Sequence, residues 1–426
     1  MILAMAIVLV LAALGMRLFA VIAAVALLGF HFAGYDLAGI TVAVEYYRLG
    51  DRTGLIAIPL FTLAGYLLGE SGTPGRLVRL SMALLGWLPG GLAIVALVAC
   101  ALFTAFTGAS GMTIIAIGAF LFPALVKAKY PQGYSLGLVT SSGSLGLLFA
   151  PSLPLILYGF VAGQLATTPA VTMRDLFLAG ILPGLLMIAV LSVHAMYVGW
   201  NLPRPEKGFD AAELWAAVRE AKWELPLPVI VLGGIYSGEF AASEAAAVTT
   251  LYVLVVTVLI KKEISFSKLP SLMAEAMRLV GAILIILGAA GALSNYLVDQ
   301  EVPNALFEFS RTHVHSPGMF LLLINVVLLG VGMFIDIFSA IVILTPLLLP
   351  VAAAYGIHPV HFGIVMLANL QIGYFMPPAG MDLFIAAYRF KTGILTLARA
   401  CVPFFLLVGL SLLVITWWPG LSLMLL

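Results

Sequence analysis

Long apolar runs follow one another along almost the whole chain, and they restrict its fold more than any other feature. A helix needs about 20 apolar residues to cross the hydrocarbon core of a bilayer. Charged residues make up 9% of the chain, against about 25% in a soluble domain, so the sequence predicts an all-α membrane protein with many spans. The first run has no basic segment before it, and we interpret it as a membrane helix and not as a cleaved signal peptide. The runs cover residues 1–15, 17–34, 54–69, 90–127, 133–163, 173–199, 225–237, 241–260, 278–297, 317–352, 362–388 and 397–419.

Two of the runs, 90–127 and 317–352, are too long for a single crossing. Each has a polar or glycine-rich centre, "TGASGMT" at Thr107–Thr113 and "GVGMFID" at Gly330–Asp336. Two half-length helices around a polar tip form a re-entrant hairpin, which enters the membrane and leaves it on the same side. We therefore predict two re-entrant hairpins within these bounds.

The distribution of lysine and arginine supports this plan. If the N-terminus lies outside and both hairpins are re-entrant, all but four of the 20 Lys and Arg residues fall on the inner side. The exceptions are Arg48, Arg52, Arg174 and Arg311. Such an asymmetry is the positive-inside pattern of membrane proteins, and it places both termini outside.

The two halves of the chain resemble each other at a shift of 227 residues, which aligns the hairpins and the segment after each. Those segments, 133–163 and 362–388, are broken spans that contain proline and glycine. Each half holds five crossings, an odd number, so the second copy is inverted, as in many secondary transporters. We predict a first repeat over 1–200, an inner connector over 201–224 and a second repeat over 225–426. The matched pairs are Ile114 with Ile341, Pro123 with Pro350, Gly146 with Gly373 and Pro151 with Pro378.

The breaks indicate what the chain could bind. Proline inside a helix removes a backbone hydrogen bond, at a cost of about 3 kcal/mol or more, and the freed carbonyl groups are tolerated only where protein or water surrounds them. Carbonyl and hydroxyl oxygens suit a small hard cation, whereas the N-terminus of a half-helix suits a carboxylate. One break can therefore serve a sodium ion and an organic anion together.

Two acids, Asp336 and Asp382, are the charged residues that this plan places well inside the membrane. A charge at that depth costs at least about 2.5 kcal/mol, so both are functional candidates. No lysine or arginine lies near either in the sequence, and a bound cation would supply the counter-charge. The alternative is that each carboxylate caps a half-helix or is neutral.

Hydroxyl side chains gather at the same places. Gly108 with Ser110 at the first tip, and Ser144 with Ser152 at the first break, are our preferred functional pairs because they flank the predicted breaks. Close packing of Ser and Gly between helices is the alternative. The remaining hydroxyl residues nearby are Thr107, Thr113, Thr140, Ser141 and Ser142.

Other residue types do not support enzymatic chemistry. The six histidines are scattered, without a zinc-site context, and no nucleophile-elbow pattern is found. We therefore predict no catalytic residue, no cofactor and no transition-metal site. The net charge of +1 gives no basis for nucleic-acid binding. Ser243 and Glu244 are expected to open the helix 244–260, as its N-cap and its first-turn acid.

The chain resembles the large membrane subunit (DctM-type large permease) of tripartite ATP-independent periplasmic (TRAP) transporters, over essentially its whole length. The resemblance rests on "AIPLFTLAGYLL" (Ala57–Leu68), "SGSLGLLFAPSLPLILYG" (Ser142–Gly159), "GGIYSGEFAASEAAAV" (Gly233–Val248), "GMFIDIFSAIVILTPLLLPV" (Gly332–Val351) and "IGYFMPPAGMDLF" (Ile372–Phe384).

This resemblance implies sodium-driven import of a small organic acid by an elevator mechanism in the bacterial inner membrane, with both termini in the periplasm. It implies two partners, a separate small membrane subunit of about four spans and a periplasmic substrate-binding protein. Carried onto this chain, the first cation site would use Gly108 and Ser110 with Gly143 and Ser144. The second would use Gly332 and Asp336 with Met376, Pro377, Gly380 and Asp382. The substrate would lie between the tips, near Thr107, Ser110, Pro151, Ser152 and Pro378.

Three rival functions remain open. A stand-alone sodium–carboxylate symporter would have the same architecture and no binding protein. An ion channel would also use re-entrant segments, although lone acids at paired breaks suit an occluded site better. An intramembrane enzyme is the third, and it would need a nucleophile–base pair that the sequence does not show.

Overall fold

The computed structural model describes residues 7, 8, 10–12, 14–35, 38–50, 53–165, 168–200, 202, 208–314 and 316–426. The predictions that concern residues 1–6, Arg52, Arg204 and Lys207 lie outside the described residues. The described chain is helical throughout and contains no strand.

The helices in chain order are α1 Leu18–Phe32, α2 Ala38–Gly50, α3 Ala57–Glu70, α4 Thr73–Leu85, α5 Gly91–Thr107, α6 Ser110–Ala116, α7 Gly118–Lys127, α8 Gln132–Ser142, α9 Leu153–Ala162, α10 Met173–Ala179, α11 Ile181–Gly199, α12 Ala211–Glu220, α13 Pro226–Tyr236, α14 Ala242–Leu254, α15 Leu269–Asp299, α16 Val302–His313, α17 Pro317–Phe334, α18 Ile337–Ala354, α19 Pro359–Gly373, α20 Met381–Phe390, α21 Ile394–Trp417 and α22 Gly420–Leu423. Short 3₁₀ segments cover Thr53–Ile56 and Leu145–Leu148, and a π-helical segment, Val255–Ile260, follows α14.

Within the described residues, six helices are long and apolar enough to cross a membrane, or up to nine if each bent helix pair counts as one span. One bent pair is the second arm of the first hairpin, where α6 and α7 meet at 51°. Another is the first broken span, which bends by 41° between Leu148 and Leu153. The predicted fold class, an all-helical membrane protein with broken spans, is confirmed.

An outer group of helices, α1, α2, α3, α14 and α15, is held together by contacts between the two halves of the chain. Helix α14 packs against α3, and α1 packs against α15, which also carries α2 on its surface. Because α1 and α14 occupy matching positions of the 227-residue repeat, the two contacts are equivalent. Reciprocal contacts of this kind are what a two-fold relation between similar units produces.

A central group of helices, around the tips and breaks, is also held together by contacts between the two halves. Helix α9, which follows the first break, packs against α18, the second arm of the second hairpin. Helix α20, which follows the second break, packs against α6, the second arm of the first hairpin. Each half of the chain therefore completes the hairpin surface of the other.

The hairpin arms are longer than the half-length helices that the sequence suggested. Helices α17 and α18 have 18 residues each, about 27 Å, and α5 has 17. The tips nevertheless fall at matching positions, since α5 and α17 end at Thr107 and Phe334, 227 residues apart. Helix α18 continues through Pro346 and Pro350.

Helix α15 also differs from its predicted run, 278–297, because it begins at Leu269. The added turns are amphipathic: Leu272, Ala276 and Val280 are buried at a spacing of four residues. This spacing keeps one helix face in contact with the protein beyond the apolar run.

The helices before the two breaks occupy the centre of the protein. All residues of α19 are buried, including the polar His361, Asn369 and Gln371. In α8 the whole stretch from Ser135 to Ser142 is buried. Neither stretch has a face turned to solvent, and this position brings the start of each break into the protein interior.

Candidate functional site

The first hairpin tip is a tight turn that needs glycine. Helix α5 ends at Thr107, Gly108 takes φ +66°, and α6 begins at Ser110. A Cβ atom on Gly108 would lie 2.6 Å from the Leu153 side chain. Positive φ together with this close approach makes glycine the residue that fits the turn.

The first tip is fixed to the first break by hydroxyl groups. Thr104 Oγ1 donates a hydrogen bond to the Gly143 carbonyl oxygen, 2.7 Å away, and lies 2.6 Å from Thr113 Oγ1. The Ser110 carbonyl oxygen also borders this break, since a Cβ atom on Gly143 would lie 3.3 Å from it. The structure thus brings Ser110 to Gly143, and Gly108 to Leu153 at the start of α9.

The second tip is built around Asp336. Its side chain caps α18: Oδ1 accepts a hydrogen bond from the Ser339 backbone N–H at 3.0 Å, and Oδ2 accepts one from the Ser339 hydroxyl at 2.5 Å. The capping role that the sequence left open for this carboxylate is therefore present. The carboxylate stays partly exposed at the tip, and its remaining lone pairs can still accept a ligand.

The second tip contacts the second break through backbone. The Ile337 N–H donates to the Tyr374 hydroxyl at 2.6 Å. A Cβ atom on Gly373 would lie 2.6 Å from the Gly332 carbonyl carbon, so two glycines permit this approach. The structure therefore joins Gly332 and Asp336 to the segment that contains the predicted second site.

The second break covers the residues between α19 and α20. The Gly380 N–H donates to the Met376 carbonyl at 3.0 Å, and the Asp382 N–H donates to the Tyr374 carbonyl at 2.9 Å. Pro378 is exposed and Met376 and Pro377 are half-buried, whereas Gly380 is buried. This break therefore reaches the protein surface at its prolines and the interior at its end.

Asp382 lies in the first turn of α20, directly after the break, and is fully buried. Its Oδ1 accepts a hydrogen bond from Ser110 Oγ at 2.7 Å. Its Oδ2 has no hydrogen-bond partner among the described residues. The ion pairs of the described residues do not include this aspartate. A buried, half-satisfied carboxyl group of this kind needs either a cation or a proton to offset its charge, since an uncompensated buried charge is unstable.

A family model for the DctM component of tripartite ATP-independent periplasmic transporters matches residues 4–421. The chain belongs to this family. The predicted family is therefore confirmed, and the chain is a multi-pass membrane component of a bacterial transporter.

Curated relatives of this DctM component are named as transporter permeases. The C4-dicarboxylate TRAP transporter large permease protein DctM of Rhodobacter capsulatus is 34% identical, over 90% of this chain and 89% of its own. The ectoine TRAP transporter large permease protein TeaC of Halomonas elongata is 30% identical, over 97% and 95%. The isethionate TRAP transporter permease protein DctMQ of Oleidesulfovibrio alaskensis is 34% identical over 87% of this chain and 58% of its own. The prediction of a transporter component, and not of an enzyme, is thus confirmed.

The fold of this DctM component also resembles a solved structure. The Alcanivorax borkumensis YdaH transporter, described as having an unusual topology, has a TM-score of 0.59 at 16% identity, with 87% of each chain covered. At this identity the likeness concerns the fold alone.

The remaining predicted residues of the DctM component lie at the first tip and break with locally bonded hydroxyls. Thr107 Oγ1 donates to Phe103 O, Ser144 Oγ to Ser141 O, and Ser152 Oγ to Leu147 O. Each hydroxyl donates its hydrogen bond to a carbonyl oxygen, so the lone pairs of the hydroxyl oxygen remain available to a cation. Pro151 is buried beside Ser152, unlike its repeat partner Pro378.

The sequence analysis missed two residues, Thr104 and Tyr374, whose side chains form hydrogen bonds between a tip and a break. Thr104 lies inside the apolar helix α5, three residues before the tip, and its position alone did not separate it from packing threonines. Tyr374 lies inside the quoted motif "IGYFMPPAGMDLF", next to the glycine that ends α19. A polar residue within a few positions of a predicted tip or break is the signal that could have identified both.

Glu244 has the structural role that the sequence favoured, in the first turn of α14. The predicted N-cap, Ser243, is wrong, because the N-cap position is Ala241. Glu244 Oε2 accepts a hydrogen bond from the Ala241 N–H at 2.8 Å, at the start of α14. The helix begins at Ala242, two residues before the predicted start.

Proposed function

We propose that this chain is the large permease of a sodium-coupled importer of a small organic acid, which a periplasmic binding protein delivers. The observation that carries the proposal is the pairing of each hairpin tip with the break of its own half, with an acid at the second tip and another at the second break. The relatives named for C4-dicarboxylate and isethionate transport support an organic acid as the substrate class.

The chemistry of the paired tips and breaks supports sodium as the coupling ion. The first tip and break supply carbonyl and hydroxyl oxygens, from Ser110, Gly143 and Ser144. The second supplies Asp336 with the carbonyl groups between Met376 and Gly380. These are hard oxygen ligands without soft donors, which suits sodium. A bound sodium ion would also offset the charge of Asp382 when an anionic substrate arrives.

An elevator movement is consistent with the two helix groups. The central group holds both tips and both breaks, and the outer group meets it chiefly along α3 and α15. A rigid central group could slide along this face without breaking its own tip-to-break contacts. We propose that sodium and substrate binding complete the central group and permit this movement.

The proposed assembly has a separate small membrane subunit of about four spans and a periplasmic substrate-binding protein, in the bacterial inner membrane. Both termini of this chain would face the periplasm. If uptake by the reconstituted membrane complex proceeds fully without any binding protein, a stand-alone symporter would replace this proposal.

The deciding experiment separates the two roles of Asp336. Asp336→Ala removes both the helix cap and the charge, whereas Asp336→Ser removes the charge and keeps a capping oxygen. We expect both variants to lose sodium-stimulated uptake in proteoliposomes. Only Asp336→Ala should also lose stability, by about 1 kcal/mol.

Assembly with the small subunit, checked by size-exclusion chromatography, is the control for both variants. If Asp336→Ser transports like the wild type with the same sodium dependence, Asp336 is only a helix cap and the second cation site is wrongly assigned.

A further inference from the structure

A large polar cavity lies between the outer and central helix groups, away from the tips and breaks. Its volume is about 640 Å³, within the range of small-molecule sites. The outer group contributes Glu45, Arg48 and Asn295, and Gln164, beyond the end of α9, comes from the central group. Glu301 and Asn304, at the start of α16, complete its polar wall. We call this cavity the outer vestibule.

The vestibule lies on one side of the protein. The ends of α2, α9, α15 and α18 all border it, and the charge distribution independently places each of these ends outside. It therefore opens where a solute delivered from the periplasm would enter, at the boundary between the two helix groups.

Arg48 and Glu45 give the vestibule a built ion pair. The Arg48 Nη1 and Glu45 Oε1 atoms are 2.9 Å apart, with 60% of the arginine side chain exposed and 11% of the glutamate. The buried glutamate holds one edge of the guanidinium in place. A guanidinium has five N–H donors in a planar fork, so its other edge can receive a carboxylate from the cavity.

The remaining charges restrict what that carboxylate can belong to. Arg48 is the single cationic residue of the described lining, against the two acids Glu45 and Glu301. The described lining therefore has a formal net charge of about −1, and a dicarboxylate would add two further negative charges. A solute with one carboxylate and one cationic nitrogen matches the wall, since its carboxylate meets Arg48 and its cation meets the acids.

The charged residues at the second tip and break, further along the proposed import path, are also acids. Asp336 and Asp382 form no ion pair within the described residues, and Asp382 Oδ2 is buried without a hydrogen bond. A substrate that carries a positive group is therefore compatible with the inner site as well as with the vestibule.

We infer that the outer vestibule is a first binding site for the delivered substrate, and that it selects zwitterionic monocarboxylates over dicarboxylates. The inference rests on the proposed function only in placing the vestibule on the import path. The binding itself needs neither sodium nor movement of the central group.

Cysteine protection tests the inference directly. Ser294 lines the vestibule, and both native cysteines of this chain are buried, so Ser294→Cys gives this chain an accessible thiol, whose labelling is read on this subunit alone. The membrane complex, in vesicles without binding protein and in sodium-free potassium buffer, is labelled with a membrane-impermeant sulfonated thiol reagent. The probes are the zwitterions proline, glycine betaine and β-alanine, with succinate as the dicarboxylate.

We expect at least one zwitterion to slow labelling about tenfold at ten times its half-protecting concentration, because mass action leaves about a tenth of the vestibules open. Succinate should protect much less. Arg48→Gln should abolish protection, and Glu45→Gln should weaken protection by zwitterions and strengthen it by succinate. Arg174→Gln, an exposed arginine outside the lining, is the matched control and should leave protection unchanged.

Thr312→Cys, exposed and outside the vestibule, should be labelled equally with and without the probes. Protection that survives Arg48→Gln, equal protection by succinate, or no protection by any zwitterion would overturn the inference. Sodium-stimulated uptake is measured in parallel on vesicles from the same preparation, with sodium and the binding protein added. If uptake persists while protection fails, the vestibule assignment is wrong and the proposed function stands; protection without sodium-stimulated uptake gives the reverse result.

Discussion

A single hydrogen bond, from Ser110 to Asp382, joins the first hairpin tip to the second break. Ser110 also borders the first break through its carbonyl oxygen, close to Gly143. One residue of the first tip thus contacts both breaks. Because the acceptor is a buried carboxylate, this bond should contribute more than a neutral one, about 1.5–3 kcal/mol.

The Ser110–Asp382 bond predicts a non-additive pair of substitutions. Ser110→Ala should lower the free energy of unfolding by about 2 kcal/mol in the wild-type background, since it leaves Asp382 without a donor. In an Asp382→Asn background the same change should cost about 1 kcal/mol less, because a neutral amide depends less on that hydroxyl. Denaturant titrations of the four variants in detergent measure the difference.

Ser135→Ala is the matched control for this cycle. Ser135 is also fully buried, but its hydroxyl donates to the local Pro131 carbonyl. Its effect should be the same with Asp382 or with Asn at that position. Equal effects of Ser110→Ala in both backgrounds would show that the bond carries no coupling.

At the scale of elements, buried ion pairs hold α4 against neighbouring segments, and the apolar runs of the sequence did not reveal this helix. Arg76 contacts Glu224 and Glu263, and both Arg76 and Glu224 are buried. Burial alone would raise the pKa of Glu263, but hydrogen bonds from Arg76 and the Gly72 backbone hold that pKa below its usual range. The carboxylate is therefore ionised at neutral pH, and α4 is held to the segments before α13 and after α14.

We expect Arg76→Gln to lower the free energy of unfolding by about 3 kcal/mol, because it leaves the buried Glu224 without its cation. Arg79→Gln is the control, since Arg79 pairs with Glu213 and Glu220 on the exposed side of the same helix and such pairs contribute little. Thermal and denaturant unfolding of the two variants gives the comparison. A larger loss with Arg79→Gln would contradict the buried-cluster assignment.

The elements also show where sequence patterns sufficed. Apolar runs and the 227-residue shift located both tips, because a polar group in a long apolar run has few places to lie. They missed α4 and α16, which are amphipathic helices at matching positions between a membrane helix and a hairpin. Such helices carry about as many polar as apolar residues, so a search for apolar runs passes over them.

At the scale of the whole molecule, segments that the charge distribution placed on one side contact one another. Arg79 of α4 meets α12 of the connector, and Lys268 meets Glu70; all of these were placed inside. On the opposite side, Tyr35 donates to Asp299 at 3.1 Å. The grouping of loops into two faces is thus the same in the structure as in the charge count.

Accessibility labelling in intact cells tests which face is outside. With the two native cysteines buried, we expect an impermeant thiol reagent to label Thr312→Cys in intact cells. Ser267→Cys, on the opposite face and also exposed, should react only after the membrane is permeabilised, because the positive-inside pattern places it in the cytoplasm. The reverse result would invert the topology and move the vestibule to the cytoplasmic face.

The sequence by itself determined the membrane class, the inverted-repeat pattern, the family and the residues of each tip and break, because these depend on hydrophobicity, charge and local backbone chemistry along the chain. Only the tertiary structure decided how the halves combine: that α9 and α20 pack on the opposite hairpins, that Asp336 caps its own helix, and that Ser110 reaches Asp382. The contacts between the halves join residues far apart in the chain, and their partners are selected by packing and burial, which no local pattern encodes. The Asp336 cap is local, but the sequence alone left it open beside cation binding.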